Sequence, residues 1–349
     1  MPQEQASAPA LDPVAALVQA LEQAAAAGDR ETIRAFGTDL DSAHELAVAL
    51  TTPVPARIVI KERDRTTLPT GLRLLLEVFW ERSLEGRLGT WSVELEKTDD
   101  EWRIARATRL AHVTGLYRLS LDPSRQLDLR NMVVKAPDLT LSIPRGTAFV
   151  AETPDGVTGI VLLGDGRMRF SPPDVAERTQ VRIFSGDEVL DTPFDAAFLR
   201  VRPEDFESRF PADGWSERPA EPNLLERARD VFDEYVGRTL HIDLDDLSTD
   251  RWSITPQAGD FIAEIRTRRE GVLTYTRSRN DAEDVTLFDR RRRRNISVYA
   301  SEEKLAARGR FYNENDLVDY DVMAYDVEVT LDPERETISG NARLKLKVR

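Results

Sequence analysis

The amino-acid sequence predicts a multidomain α+β chain, and three observations carry that prediction. Apolar residues recur at helical spacing close to the N-terminus and again near residue 225. Elsewhere apolar and polar residues alternate with period two, in runs bounded by Gly, Pro and Asp. Helices come first and strands follow, which is the order of α+β architecture rather than of alternating βαβ units. A chain of 349 residues has room for two or three domains at roughly 150 residues each, every one able to bury its own core.

Residues 1–11 are small and polar and read as a disordered tail. Asp12-Pro13 then reads as an N-cap followed by a proline in the first helical turn. Val14, Leu17, Val18, Leu21 and Ala25 fall on one helix face, and Gly28 sits where a helix stops. A short helix over 31–36 and a third over 42–50 follow, the latter opened by a capping-box pattern of Ser42 and Glu45. Four strands are expected next, over 56–62, 71–81, 88–97 and 102–110, the last two joined by the polar turn Thr98-Asp99-Asp100-Glu101.

Residues 12–115 resemble the cone-shaped α+β fold of the SnoaL, ketosteroid isomerase and nuclear transport factor families. The resemblance rests on three helices followed by a curved sheet and on Trp91 with the closing hairpin Glu101-Trp102-Arg103-Ile104. It implies a pocket that in enzymatic members holds a carboxylate base. No such residue maps onto this sequence. His44 on the third helix is placed to line the cone, and His112 follows the last strand, but a lone histidine is more often packing or surface.

Residues 116–216 read as a β-rich domain of short strands (127–134, 139–143, 147–152, 159–163, 167–170, 179–184 and 196–202), an antiparallel sandwich or barrel-like module. Pro154-Asp155-Gly156 and Gly164-Asp165-Gly166 read as turns. With no helix behind it, the second is a poor phosphate loop. Residues 211–222, with three prolines, read as a linker. The next region, 217–314, holds an amphipathic helix capped by Asn223 and ended by Gly237, then a second β-rich module with strands near 239–242, 261–266, 271–278, 285–288 and 296–300. The run 277–301 loosely echoes 169–185, a possible duplicated β unit.

Net charge is −14, and residues 186–250 carry 18 Asp and Glu against seven Arg and no Lys. Nucleic acid and anionic membranes need a basic footprint, so neither is expected as the main partner. The five consecutive arginines Arg290 to Arg294 lie among acidic residues and read as a solvated loop pairing with them. No apolar run approaches the ~20 residues that span a bilayer. No signal peptide is visible, which suits equally a chain that never had one and a chain that lost it. The absence of cysteine excludes disulfides and thiolate metal sites and leaves the compartment open.

Residues 315–349 close the sequence with a β-hairpin. Tyr325, Val327, Val329 and Leu331 alternate before the turn Asp332-Pro333-Glu334-Arg335, and Ala342, Leu344, Leu346 and Val348 alternate after it. A lone hairpin is marginal in water, so further strands of its sheet are expected in residues not supplied. The order Tyr325-Asp326, Leu331-Asp332-Pro333, Gly340, Leu344-Lys345-Leu346 resembles the first two strands of the saddle-shaped β domain in aminopeptidase N-type zinc metallopeptidases. The resemblance implies a peptidase body beyond Arg349 whose zinc is held by His-Glu-x-x-His and a downstream Glu. His44-Glu45 continues without a second ligand, and the three histidines at 44, 112 and 241 are scattered. No catalytic, cofactor or metal residue is therefore assigned, and zinc is expected only in the missing catalytic domain.

Three functional readings follow. The first is a non-catalytic N-terminal accessory or scaffold region of a zinc aminopeptidase-like protein, partnered by that C-terminal body. The second is a stand-alone binding or scaffold protein that uses the N-terminal cone for a small apolar ligand or for homodimerisation. The third, an isomerase or hydratase in the cone, needs a polar group of shifted pKa at the pocket floor, and no strand residue marks one out.

Overall fold

A computed structural model describes residues 12–39, 41–308, 320–332 and 337–348. The tail expected at 1–11 lies outside the described residues, as does the turn expected at 332–335 beyond Asp332. Helix α1, Pro13–Ala27, begins where the Asp12 carboxylate accepts the Val14 N–H at 3.1 Å. It ends at Gly28, whose φ of 71° lets its N–H reach back to the Ala24 and Ala25 carbonyls. Helix α2, Arg30–Ala35, is capped by Asp29, and α3 spans His44–Thr51. The capping box expected for α3 does not form. Its N-cap is Ala43, because the Ser42 hydroxyl turns back to the Asp39 carbonyl at 3.1 Å and the Asp39 carboxylate takes the Asp41 and Ser42 N–H groups at 2.8 Å. A local side-chain turn has outcompeted the helix cap.

Strands β1 (Arg57–Leu68), β2 (Gly71–Arg82), β3 (Glu85–Thr98) and β4 (Glu101–Arg118) form an antiparallel meander. One face is covered by the helices: Leu21, Ala25, Ile33, Leu46 and Leu50 meet Ile58, Leu74, Leu76, Val93 and Leu95. Strands β5 (Leu121–Lys135), β6 (Leu139–Thr153) and β7 (Gly156–Phe170) open a second sheet. Helix α4 (Val175–Ser185), β8 (Leu190–Val201), the single-turn α5 (Phe206–Arg209), β9 (Trp215–Pro219) and α6 (Pro222–Tyr235) follow. The short β10 (His241–Ile242) and β11 (Trp252–Ile254) return to the first sheet, giving the order β1-β2-β3-β4-β11-β10. Strands β12 (Phe261–Thr267), β13 (Val272–Arg277), β14 (Val285–Asp289) and β15 (Arg294–Tyr299) complete a nine-stranded sheet, β15-β14-β13-β12-β8-β7-β6-β5-β9, and α7 spans Glu302–Arg308. A separate pair, β16 (Tyr320–Asp332) and β17 (Thr337–Val348), forms the expected terminal hairpin.

With 52% of residues in strands and 23% helical, the molecule is mostly β. The expected α+β cone followed by β modules is corrected accordingly. Strand β4 continues past Leu110 to Arg118, and its free edge is taken by β11, with Leu116, Tyr117 and Arg118 opposite Ile254, Ser253 and Trp252. The sheet under the helices is thus completed by chain from residues 241–254. Its second face at that end, Phe79 and Leu116, is buried by Leu244, Leu247 and Trp252.

Several local expectations change for one physical reason: Gly and Pro mark bulges in long strands rather than turns between short ones. Residues 139–143 and 147–152 are one strand, β6, with a register shift at Ser142/Gly146; 159–163 and 167–170 are one strand, β7, with a shift at Leu163/Gly166. Gly164-Asp165-Gly166 is therefore a bulge inside a sheet, where a Cβ on Gly166 would lie 2.3 Å from the Phe194 ring. The stretch read as a strand at 179–184 is α4, started by the Asp174 carboxylate on the Ala176 N–H at 2.7 Å. The sequence echo of 169–185 in 277–301 therefore pairs a strand end and helix with a hairpin and is no duplication. The linker expected at 211–222 contains the edge strand β9. Helix α6 starts at Pro222 after Glu221, with no side-chain cap.

The nine-stranded sheet curls on itself. Asp138, in the turn between β5 and β6, accepts hydrogen bonds from Tyr299 at the opposite edge and, at 3.3 Å, from Tyr275. In a flat sheet the spacings from β6 to β15, at about 4.8 Å each, would hold these groups ~30 Å apart. Residues from β5 through β15 accordingly share one core, joined by Val181 of α4 and by Phe206 and Phe210. The outer face, Phe149, Val161 and Phe198, is covered by Ala228, Val231, Phe232 and Tyr235 of α6.

Candidate ligand pocket

The helices are too short to cover the first sheet. Helix α3 has 8 residues and rises about 12 Å, whereas β3 has 14 and reaches about 46 Å. Beyond the last turn of α3 the helix-facing side of β2, β3 and β4 lies open, as a pocket of about 250 Å³. Its apolar surface comes from Val48 and Leu50 of α3, Val78 and Trp80 of β2, and Trp91 of β3. Both indoles are buried, with 4% and 2% of their surface exposed. They are structural floor and pocket lining together.

Strand register decides which groups surround that floor. Trp80 stands opposite Arg87, Val78 opposite Gly89, Gly89 opposite His112, and Trp91 opposite Arg109. Residues two apart on a strand share a face, so Arg87, Gly89 and Trp91 look the same way. Arg109 and His112 are three apart and would not, but a register shift at Thr90/Trp91 brings both to the pocket. The Arg87 guanidinium lies 4.5 Å from the centre of the Trp80 ring, and that of Arg109 lies 5.9 Å from Trp91. Such contacts hold a cation over an aromatic face without neutralising it. Among the described residues Arg87 has no carboxylate within ion-pair distance, and Arg109 has only Glu45, at 3.8 Å.

The indole N–H groups differ as well. Trp80 donates to the Pro53 carbonyl at 3.1 Å, and Trp252, elsewhere, to the Ser248 hydroxyl at 3.0 Å. The Trp91 N–H has no acceptor among the described residues. A Cβ at position 89 would sit 3.1 Å from that nitrogen, so glycine leaves the approach to it open.

Two other polar clusters are closed on themselves. A polar pocket of about 230 Å³ is lined by Arg277, Arg279, Asp284, Glu303 and Lys304. There Arg277 pairs with Glu303 at 3.1 Å, Asp284 accepts from the Ser301 hydroxyl at 2.7 Å, and Lys304 donates to the Arg279 carbonyl at 2.5 Å. Arg200 is fully buried and donates to the Thr158, Thr239 and Ile254 carbonyls and to the Tyr117 hydroxyl. Burial pushes the Arg200 pKa down and the Tyr117 pKa up, the latter against the pull of the Arg200 charge. This group joins the two sheets. Burial, reinforced by Asp138, raises the pKa of Tyr275 and Tyr299, which keeps both hydroxyls as donors.

The residues singled out in the sequence fare differently. His112 lies within β4 rather than after it, and it lines the pocket. His44 is exposed at the start of α3 and does not. His241 stands opposite Ser253 at the edge of the first sheet; its Nδ1 and the Ser253 hydroxyl are both buried without a partner among the described residues. Among the described residues no group of three or more His, Asp or Glu side chains is placed to hold a metal ion. The arginine run forms the β14–β15 turn. Arg292 pairs with Asp289 at 3.5 Å, as an acidic neighbourhood suggests, but Arg290 turns inward to Glu264 at 2.8 Å and Thr274 at 2.6 Å. Arg87, Arg109 and Trp80 were not legible as a set, because only cross-strand pairing assembles them. No helix among the described residues is long and apolar enough to cross a membrane.

Compared with known proteins, the chain matches no family model, no curated protein and no solved structure. Nothing in those comparisons links it to aminopeptidase N or to SnoaL-like domains.

Proposed function

We propose that this chain is a binding module that holds a small apolar ligand in the pocket between α3 and the far end of β2–β4. The observation that carries the reading is a pocket of about 250 Å³ with an indole and aliphatic floor, left open by a helix shorter than the sheet beneath it. At roughly 30 Å³ for a water-sized group, that volume takes about eight such groups, the size of a medium alkyl chain or a substituted ring. Burying such a ligand is driven mainly by the hydrophobic effect, at about 25 cal/mol per Å² of apolar surface. Titration with 1-octanol tests this, read by intrinsic tryptophan fluorescence and by calorimetry. Saturable binding is expected, and Leu50→Trp, which fills the pocket from α3, should abolish it. Non-saturable partitioning, unchanged in that variant, would remove the reading.

The accessory-region reading stands as a second proposal, favoured by the terminal hairpin. Tyr325 pairs across from Leu344 and Val327 from Ala342, yet Tyr325, Val327, Val329 and Leu344 are 67%, 57%, 53% and 51% exposed. A half-apolar two-stranded sheet of this kind gains stability when further strands or a packing layer cover it. On this reading the hairpin opens a β domain of an aminopeptidase-like zinc protein, whose metal ligands belong to residues beyond Arg349. The coding sequence past the Arg349 codon decides. A frame running on through strands to His-Glu-x-x-His supports the proposal, and an immediate stop codon ends it.

A further inference from the structure

We infer that the ligand of the pocket at α3 and β2–β4 is an amphipathic carboxylate, with its acid group held by Arg87 and Arg109 and its apolar part on Trp80 and Trp91. The inference rests on the small-ligand reading of the same pocket and adds the chemical class of its occupant.

Charge is the first ground. The protein carries a net charge of −14, yet the residues lining this pocket include two arginines and a histidine and no Asp or Glu. Arg87 is half-buried against Trp80 and unmatched by any carboxylate among the described residues. Partial burial without a counter-ion is costly for a guanidinium, and a bound anion offsets that cost. The acidic groups nearest the site are accounted for. Glu45 reaches Arg109 from α3 at 3.8 Å, longer than a hydrogen bond. Glu85 and Asp155 line the neighbouring pocket on the far side of Arg87.

The second ground is independent of charge. Trp91 is 2% exposed, lines the pocket, and its N–H has no acceptor among the described residues. The residue is buried but its N–H opens to the pocket, where a ligand or water can accept from it. Gly89, whose missing side chain keeps that nitrogen reachable, stands directly opposite His112, a further ring able to donate. Two guanidinium forks, an indole N–H and an imidazole suit a planar acceptor with two oxygens. The floor between them suits an alkyl or ring tail. An ammonium headgroup would face like charge, and a neutral alcohol would leave both guanidinium groups unmatched.

The test compares three eight-carbon probes on the full chain: octanoate, 1-octanol and octylamine, by calorimetry at low salt and neutral pH. Charge-assisted hydrogen bonds to one guanidinium predict that octanoate binds about tenfold or more tighter than octanol, and that octylamine binds more weakly than either. In Arg87→Gln the octanoate affinity should fall to the level of octanol in the unaltered protein. Arg106→Gln, which removes an equal charge from β4 opposite Glu94 and outside the pocket lining, should leave octanoate binding as it was. Near-ultraviolet circular dichroism confirms that each variant keeps its tryptophan packing. Equal affinity for octanoate and octanol overturns the headgroup assignment and leaves the small-ligand reading intact. A carboxylate preference that survives Arg87→Gln, or is lost in Arg106→Gln, overturns the assignment to this site. Binding of none of the three probes removes both readings.

Discussion

A carboxylate with no exposed surface needs partners, and Glu264 has them on one oxygen only. Its Oε1 accepts from Arg290 at 2.8 Å and Thr274 at 2.9 Å, while among the described residues Oε2 has no hydrogen bond and only the Arg238 guanidinium at 3.9 Å. Burial raises the pKa of Glu264 above its ordinary 4.5, and the pull of Arg290 in the other direction does not offset it. The folded protein therefore keeps a proton that the unfolded chain has already released. By linkage, stability is greatest below the unfolded pKa and declines as pH rises through the folded one. Urea unfolding of the native protein and of Glu264→Gln, repeated from pH 4.5 upward to neutrality, should show the native protein losing stability relative to the variant. A relative gain would mean that the arginines dominate over burial. This residue also shows where sequence reading stops. The run Arg290 to Arg294 is plain in the sequence, and Arg292 does pair locally with Asp289. Arg290 instead meets a carboxylate 26 positions away, on a strand two removed in the sheet, and no local pattern encodes that meeting.

Among the elements, the helices near the N-terminus and the long strands of the first sheet were legible because each carries its own period and its own stop signal. Asp12, Pro13 and Gly28 bound α1 as a sequence reader expects. Helix α4 was not legible: Thr179, Val181, Ile183 and Phe184 mimic a strand, and only the Asp174 cap and the αL glycine Gly186 say otherwise. The same ambiguity made long strands look broken. Gly164 and Gly166 in β7 were read as a turn, yet they let the strand continue past Gly146 and the Phe194 ring at contact distance. Gly166→Ala tests this at the scale of the strand. Its Cβ would lie 2.3 Å from the Phe194 ring, and the ring is fully buried and cannot move aside freely. Overpacking of that kind typically costs about 1–3 kcal/mol. Chemical denaturation should show a loss in that range, and Phe194→Leu in the Gly166→Ala background should recover part of it. A neutral Gly166→Ala would mean that β7 is free to shift there. The pocket suffers from the same blindness to bulges. Arg109 and His112 have opposite parity in the sequence, and only the register shift in β4 turns both toward Trp91 and Gly89.

The whole molecule is held together by pairings that cross the order of the chain. Residues 241–254 close the first sheet although five strands of the second sheet, β5–β9, and helix α6 precede them in sequence, and Trp252 packs with Phe79 and Leu116, its ring 5.1 Å from that of Phe79. Arg200 of β8 then ties the two sheets through the Tyr117 hydroxyl and the Ile254 carbonyl. The mostly-β character of the molecule fits this closure: the three N-terminal helices cover one face of the first sheet, α6 covers the outer face of the second, and strands make up about half of the residues. Composition and periodicity see elements but not which distant strand completes a sheet, which is why the N-terminal region reads as self-contained in the sequence. That picture makes a direct prediction. A fragment of residues 12–118 keeps the helices and β1–β4 but loses Leu244, Leu247 and Trp252, leaving Phe79 and Leu116 uncovered on the face away from the helices. Exposing a side chain of that size forfeits about 1.5–3 kcal/mol each, against a total stability of only about 5–15 kcal/mol for a domain. The fragment should therefore show poor amide dispersion in a nitrogen–proton correlation spectrum and bind a hydrophobic dye. Joining residues 239–256 to its C-terminus through a flexible linker should restore dispersion. A well-dispersed spectrum from residues 12–118 alone would show that the helix-covered face suffices, and that β10 and β11 merely decorate a sheet already stable without them.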